Sequence, residues 1–293
     1  MALSIHTNYS SLVTQTNLNK TNSALGTNQQ RLGTGFRINS AADDAAGLQI
    51  ATRLTAQSRG MEVAIRNTGD AISLLQTAEG AFNEVTDIVQ RMKDLATQAA
   101  NDTNSTEDRT ALSSEFNELG KELHNIISNT KYAGETLFGV TGTTSKFGAA
   151  AGIKFQIGAS ASETLTLTAA TALGDVRTAL GALTTQFAAT PAADTKLTTQ
   201  AGANGAITLA TTALDKIGEM RAQFGANINR LNHTANNLAN MKDNTDMSKG
   251  RITDADFAKE SANMSKNSML MQSGISMLKQ AGQMPGMVMS LLG

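Results

Sequence analysis

Two adjacent aspartates, Asp43 and Asp44, are the residues whose type and spacing most invite a chemical role. Paired carboxylates can bind a metal ion or share a proton in acid–base catalysis, but either use needs further ligands or a histidine. The neighbouring segment offers only Asn39 and Gln49. Ser40 precedes Asp43 by three residues, which fits a capping-box variant with serine as the helix N-cap. We therefore expect both aspartates to lie in the first turn of a helix, where negative charge is favoured.

Other residues that could do chemistry are dispersed or lack the rest of their motif. The histidines lie far apart in the sequence, at His6, His124 and His233, and no HExxH accompanies them, which argues against a zinc peptidase. Ile38 stands where the third glycine of a dinucleotide-binding loop belongs. Acidic pairs between 243 and 256 lack the glycine and the closing glutamate of a calcium loop. The sequence therefore predicts no catalytic residue, no cofactor and no metal site.

Composition narrows the functional classes further. The chain has 293 residues, a formal net charge of −1 and 4% aromatic residues without tryptophan. A near-neutral chain has no bulk attraction to nucleic acid or to an anionic membrane, and it has few large side chains to wall a substrate pocket. No apolar run approaches the roughly 20 residues of a membrane span, so we expect no membrane insertion.

The two ends of the chain resemble each other and differ from the middle. Residues 1–42 and 261–293 contain no aspartate or glutamate. The N-terminus has neither a basic region nor an apolar core, so no Sec signal peptide is expected. The chain has no cysteine, which excludes disulfides and thiolate metal sites.

Long helices are the main structural expectation. Over residues 57–99, apolar residues recur at steps of three, four and seven, which predicts a helix of roughly 65 Å at about 1.5 Å per residue. Residues 101–108 interrupt it, and Ser105 or Thr106 is expected to cap a second helix that runs to Asn129. A third helical pattern extends from Ile207 to Met241.

The middle of the chain has a different pattern. Ile153, Phe155 and Ile157 alternate with other residues, and Leu165 and Leu167 do the same after a small-residue turn. This alternation predicts a β-hairpin with one buried face. Residues 141–151 and 188–206 show no period and are expected to be loops.

Both ends have a weak helical pattern. Leucines recur every seven residues near the N-terminus, and the C-terminal end is rich in methionine, whose flexible thioether packs adaptably. Such polar helices cannot bury enough surface to fold alone, so we expect them to order against other copies of the chain. The residues expected to pack are Leu18, Leu25, Leu32, Met264, Met271, Ile275 and Leu278.

Long stretches of the sequence resemble bacterial flagellin. The N-terminal resemblance lies in "LGTGFRINSAADDAAGLQIATRL" and "RNTGDAISLLQTAEGAFNEVTDIVQRMKDLATQAAND", and the C-terminal one in "KGRITDADFAKESANMSK" and "GMVMSLLG". The resemblance covers about 1–140 and 205–293. The middle resembles only the short β-hairpin subdomain of that family, without the large outer domains that many relatives carry.

The resemblance implies a mainly α fold: long antiparallel helical coiled-coil rods, a small β-hairpin subdomain, and termini that pair as an inner helical layer. Its domains would be an inner terminal coiled coil (1–33 and 260–293), connectors (34–46 and 247–259), a helical rod domain (47–140 and 205–246) and a variable hairpin region (141–204). The residues implied in assembly and capping are Arg37, Asn39, Ser40, Asp43, Asp44 and Leu48.

The resemblance also implies partners. A flagellin polymerises with itself into the flagellar filament, leaves the cell through the flagellar secretion system, and meets an export chaperone, a cap and hook-associated proteins. Four residues match those through which similar flagellins contact Toll-like receptor 5: Gln90, Arg91, Leu95 and Glu115. Helical spacing places Arg91 and Leu95 on one face, which we expect to be exposed.

Two alternatives share parts of this pattern. A hook–filament junction protein has similar termini, although "SAADDAAGL" and "AISLLQTAEGA" fit flagellin itself. A flagellin-like protein with an inserted peptidase belongs to a different class, and the short middle and missing HExxH argue against it.

Overall fold

The computed structural model describes residues 8–140, 145–188 and 192–292, with side chains described as far as residue 283, so that His6 lies outside the described residues. The chain divides into two compact units. Unit 1 comprises residues 1–58 and 243–293, and unit 2 comprises residues 59–242. The mainly helical fold class predicted from the sequence is confirmed.

Unit 1 contains an antiparallel pair of helices, α1 (Tyr9–Thr34) and α6 (Phe257–Leu292). Asn8 caps α1 by accepting a hydrogen bond from the Ser11 amide at 3.0 Å, and its own side-chain amide donates to the Ala281 carbonyl of α6. Helix α1 ends at Gly35, whose φ of 75° suits glycine. A series of residues of α1 that are shielded from solvent repeats at steps of three and four, as in a coiled-coil seam: Ser11, Thr14, Leu18, Thr21, Leu25, Asn28 and Leu32.

Helix α6 has a matching seam. A series of its shielded residues also alternates at steps of four and three: Glu260, Met264, Asn267, Met271, Gly274, Leu278 and Ala281. A heptad seam has two positions in every seven residues. On α1 one of them is occupied by Leu18, Leu25 and Leu32, and the other is occupied by polar residues. These polar residues explain why the apolar pattern of the two ends is weak.

The helices of unit 1 are joined by two non-helical segments. Residues 35–44 separate α1 from α2 (Ala45–Ala99), and residues 254–256 separate α5 (Gln200–Thr253) from α6. The connector predicted at 247–259 is thus mostly helical, because α5 continues to Thr253 through a stretch that lacks proline. It ends where Asp254 forms an antiparallel β-bridge with Phe36.

Unit 2 is built on three helices that share one apolar core. They are the part of α2 (Ala45–Ala99) after residue 58, α3 (Thr106–Asn129), and the part of α5 (Gln200–Thr253) before residue 243. Four phenylalanine rings, Phe82, Phe138, Phe147 and Phe224, contact one another at centroid distances of 4.7–6.0 Å. Ser105, one of the two predicted N-caps, caps α3, and it forms a full capping box with Asp108.

Helix α2 begins at Ala45 and α5 at Gln200, earlier than the apolar patterns predicted. The roughly two extra turns of α5 bury alanines, Ala203 and Ala206, which the pattern of large apolar residues does not reveal. The expected loop at 188–206 is therefore partly helical. Helix α4 (Ala170–Leu183) was not predicted, although Leu173, Val176 and Leu180 are buried at helical spacing.

The strands form two antiparallel pairs. The predicted hairpin is confirmed as β3 (Ile153–Gln156) with β4 (Thr164–Leu167), in which Phe155 pairs with Leu165. The short strands β1 (Lys131–Tyr132) and β2 (Glu135–Thr136) flank a turn in which Ala133 and Gly134 have positive φ angles.

Asp194 organises the segment after α4 through its buried carboxylate and joins this segment to α3 through its backbone. Asp194 accepts hydrogen bonds from the Thr185 amide at 3.1 Å and from the Lys196 amide and ammonium group at 2.9 Å each. Its backbone carbonyl accepts from Ser113 and Asn117 of α3. All the groups of this buried polar cluster therefore have partners within unit 2.

Candidate assembly elements

The first connector is a loop organised by Asp43. Its Oδ2 accepts hydrogen bonds from the backbone amides of Ser40 at 2.8 Å and Asn39 at 3.0 Å, and from the Ser40 hydroxyl at 3.0 Å. The Ser40 and Asn39 amides, in that order, hold the pKa of the Asp43 carboxyl below its usual value. The Asp43 side chain thus stabilises the loop by accepting hydrogen bonds from neighbouring residues of the same loop.

The N-cap of α2 is Asp44, and the prediction that Ser40 caps this helix was wrong. Asp44 Oδ1 accepts a hydrogen bond from the Gly47 amide at 2.8 Å, while its carbonyl accepts from Leu48. The Ser40 carbonyl, rather than its hydroxyl, accepts the Asp43 amide. A three-residue turn therefore precedes the helix, and the second aspartate takes the capping position. Position 47 has no room for a side chain, because a Cβ there would lie 2.5 Å from Asp44 Oδ2.

Arg37 joins the two connectors. Its backbone amide donates to the Thr253 carbonyl at 2.7 Å, and its guanidinium donates to the Ile252 carbonyl at 2.9 Å. The Ala255 amide in turn donates to the Gly35 carbonyl. Asn39 closes the loop by donating its side-chain amide to the Phe36 carbonyl. Chain segments more than 200 residues apart in sequence are thereby joined around the isolated β-bridge between Phe36 and Asp254.

The terminal packing residues lie in the α1–α6 seam with one exception. Leu18, Leu25 and Leu32 are half-buried on α1, and Met264, Met271 and Leu278 are half-buried on α6. Ile275 is 42% exposed and lies outside this seam, so its packing against other copies of the chain stays a prediction. Gly274 occupies the position one residue earlier, and a Cβ there would lie 2.9 Å from Leu18 Cδ1, so the helices approach closely at this point.

The same seam contains polar residues that the apolar pattern of the sequence does not predict. Asn28 is buried, and with its amide oriented to match its neighbours the oxygen accepts from Asn267 Nδ2 at 3.2 Å and from the Met264 amide at 3.2 Å. The Arg31 guanidinium lies 3.3 Å from Glu260 Oε1, and the Glu260 side chain is only 10% exposed. The available signal was the position of Asn28 in the heptad of Leu18, Leu25 and Leu32.

The four residues matched to receptor contacts do not share one exposed surface. Gln90 is exposed, and Arg91 donates from Nε and from its terminal nitrogen to Glu115 Oε1 of α3 at 2.9 and 2.6 Å. Leu95 is only 1% exposed and belongs to the core of unit 2. The expectation of an exposed leucine beside Arg91 was therefore wrong, because α3 covers this side of α2.

Two family models match the chain at its two ends. The bacterial flagellin N-terminal helical region matches residues 5–143, and the bacterial flagellin C-terminal helical region matches residues 207–292. The chain belongs to the bacterial flagellin family. It is therefore a structural subunit of the flagellar filament, an extracellular helical polymer that serves swimming.

Curated flagellins of Vibrio species match this flagellin over the full length of both chains. Flagellin A of Vibrio anguillarum is 37% identical, polar flagellin C of Vibrio parahaemolyticus 35%, and flagellin A of Vibrio cholerae 34%. The alignment with the first spans 378 positions, so that relative carries residues for which this chain has no counterpart. This agrees with the short middle of this flagellin.

Two solved structures are similar to parts of this flagellin. A crystal structure of Bacillus cereus flagellin is 36% identical with a TM-score of 0.48, and the match covers 59% of this chain and 88% of that one. A putative flagellar hook-associated protein from Vibrio parahaemolyticus is 17% identical with a TM-score of 0.58, and the match covers 72% of this chain and all of that one. The second likeness is one of fold alone.

In the described part of this flagellin, no three histidine or acidic side chains gather where they could hold a metal ion. Across the same residues, no helix has both the length and the apolar character needed to cross a membrane.

Proposed function

We propose that the α1–α6 pair, held by the two paired connectors, is the element through which this flagellin polymerises. The observation that carries the proposal is the distribution of exposed apolar side chains. Among the described residues, large apolar side chains that remain exposed lie in unit 1, except for Val63 and Met241. The most exposed are Tyr9, Phe257, Leu12, Met269 and Met277.

Exposed apolar residues at this density are a sign of an interaction surface. The seam between α1 and α6 also contains serine, threonine, asparagine and glycine, so it buries little apolar area. Two helices with such a seam are marginal by themselves, since helix stability in proteins comes mainly from packing an apolar face. Neighbouring copies of the same chain would supply that packing, and a contact that repeats without closing produces an open helical polymer.

The test compares two substitutions on α6. Met269 is 65% exposed, and Met269→Glu places a charge in the surface that would be buried between subunits. Lys266→Glu is the matched control, because it changes the charge of the same helix without removing apolar surface. We expect sedimentable filaments from the parent and Lys266→Glu but not from Met269→Glu. Filaments of parent length from Met269→Glu would contradict the proposal.

We infer that the connector residues hold a fixed loop geometry for assembly. Hydrogen bonds within the first connector, and from it to the second, involve Arg37, Asn39, Ser40, Asp43 and Asp44. Leu48 is half-buried in the first turn of α2. Asp43→Asn with Asp44→Asn is expected to alter filament shape in electron micrographs. Calorimetry is expected to show the same weak binding of divalent cations before and after the change; a tight site lost in the variant would contradict this role.

The export route and the partners of the growing filament are proposed from the family resemblance. We expect secretion through the flagellar export system without a Sec signal, with an export chaperone, a cap and hook-associated proteins as partners. Secretion that continues when the Sec translocase is inhibited, and stops in a strain without the flagellar export system, is the expected result. Dependence on Sec alone would contradict it.

A receptor contact is proposed for Gln90, Arg91 and Glu115 only. Arg91 and Glu115 keep 55% and 45% of their side chains exposed, so a receptor could reach them in the monomer. Leu95 would not touch the receptor, and its packing in the core would hold the helix that carries Arg91 in place. We expect the monomer to bind Toll-like receptor 5, and Arg91→Ala to weaken binding by roughly 1–3 kcal/mol if arginine is an interface hot spot. Unchanged binding of a folded Arg91→Ala chain would contradict the assignment.

A further inference from the structure

We propose that the paired amides of buried Asn28 and half-buried Asn267 fix the register of α1 against α6, and so select one alignment of the terminal helices for assembly. The proposal rests on the proposed role of the α1–α6 pair in polymerisation, which it deepens. A single buried asparagine in a helical seam is known to specify register, because only one alignment pairs the amides.

The contacts between the two helices define one antiparallel register. Asn8 donates to Ala281 at one end, Leu18 approaches Gly274, and Asn28 meets Asn267 and Met264. By the same register, Thr21 lies opposite Met271. Asn28 Nδ2 also donates to the Ala24 carbonyl at 3.1 Å, so that both ends of this amide have partners.

Apolar packing alone does not select this register. A shift of α6 by one heptad, which brings Met271 opposite Asn28, still places small and apolar residues face to face, such as Leu25 against Gly274. The same shift separates the two amides, leaving Asn28 against methionine and Asn267 against Leu32. Buried amides without partners are costly, whereas most other seam positions still meet a small or apolar residue after the shift. The amide pair is therefore a contact within the seam that distinguishes the two alignments.

Two other contacts could fix the register instead. Arg31 with Glu260, and the paired connectors around Arg37, lie toward the same end of the helix pair. Replacing the asparagines leaves the residues of both contacts unchanged. An experiment that removes only the amides thus separates their contribution from that of the connectors.

Because the chain lacks cysteine, pairs of introduced cysteines can report the register through the disulfides that they form. Thr21→Cys with Met271→Cys reports the observed alignment, and Thr21→Cys with Leu278→Cys reports the alignment shifted by one heptad. Oxidation of assembled full-length chains gives cross-linked monomers within a chain and dimers between chains, which a non-reducing gel separates. In the parent we expect the first pair to cross-link within the chain roughly tenfold faster, because disulfides need Cα atoms within about 7 Å.

Each pair of cysteines is then introduced into two variant chains. One is the double variant Asn28→Leu with Asn267→Leu, and the other is the control Asn19→Leu. Asn19 is exposed on the same helix, so its replacement changes composition but not the seam. We expect the cross-linking ratio to fall to roughly one in the double variant and to stay at the parent value in the control. A parent ratio in the double variant would show that the connectors set the register and would overturn the proposal.

Filaments of parent shape from a double variant whose cross-linking ratio has fallen would also contradict the proposal, because they would show that assembly does not depend on the selected alignment. Replacing a satisfied buried polar pair with leucines is expected to preserve or strengthen helix pairing while relaxing its alignment. Assembly of the parent and of Met269→Glu tests the proposed polymerisation element separately, since neither result depends on the asparagines.

Discussion

Arg91 and Leu95 lie one helical turn apart on α2, but their surroundings differ completely. Arg91 reaches over the surface to Glu115, and an exposed ion pair of this kind contributes little to stability. Leu95 is enclosed by the core of unit 2. The sequence alone could place both residues on neighbouring helical positions, but it could not show that α3 covers one and not the other.

Leu95→Ala is expected to lower the free energy of unfolding of unit 2 by about 2–5 kcal/mol, because it removes buried methyl groups and leaves a cavity. Arg91→Ala is expected to change it by less than about 1 kcal/mol. Urea denaturation followed by circular dichroism measures both. A small effect of Leu95→Ala would contradict the burial of this side chain.

The capping box of α3 predicts a pH-dependent effect. The Ser105 hydroxyl, and then its amide, hold the pKa of the Asp108 carboxyl below its ordinary value of 3.8. The unfolded chain therefore binds this proton more readily, so the stabilisation is complete above pH 3.8 and is lost as pH falls through the lower folded pKa. Ser105→Ala is expected to cost about 1 kcal/mol at neutral pH.

Denaturant unfolding at neutral pH and near pH 2.5 tests the sign of this effect. The difference between the parent and Ser105→Ala is expected to narrow in acid. Ser114→Ala is a suitable control, because Ser114 is exposed within the same helix and donates only to the Thr110 carbonyl. A difference that widens in acid would contradict the assigned hydrogen bonds.

Elements with a strong periodic pattern of large apolar residues could be predicted from the sequence, and those whose burial depends on small or polar residues could not. The seam around Phe82, Val85 and Val89 predicted α2, and alternation around Phe155 predicted the hairpin. The first turns of α5 bury alanine, and the α1–α6 seam buries asparagine and threonine. Such positions resemble solvent-facing ones until a neighbouring element covers them.

The segment after α4 depends on a single carboxylate, which also could not be predicted. Asp194→Ala is expected to lower the free energy of unfolding of unit 2 by about 1–3 kcal/mol, because the Thr185 and Lys196 amides lose their buried acceptor. Hydrogen exchange at the Thr185 amide should accelerate. Asp87→Ala, an exposed aspartate on α2, should change neither quantity.

At the scale of the molecule, the two units are expected to differ in self-sufficiency. Unit 2 has a continuous core of buried phenylalanine, leucine and valine, whereas the seam of unit 1 is largely polar. Deletion of residues 1–30 or 264–293 is therefore expected to abolish polymerisation while unit 2 keeps its thermal transition. Electron microscopy and calorimetry measure the two outcomes. Normal filaments from either shortened chain would contradict this division of roles.

The chain has no tryptophan and only two tyrosines, and these lie in different units. Tyr9 is exposed at the start of α1, whereas Tyr132 follows α3 and its hydroxyl donates to the Asp70 carbonyl. In a Tyr132→Phe chain, all tyrosine fluorescence would therefore come from the terminal helix. Emission anisotropy and quenching by acrylamide would then report the ordering of α1 during filament growth, in real time and without an attached dye.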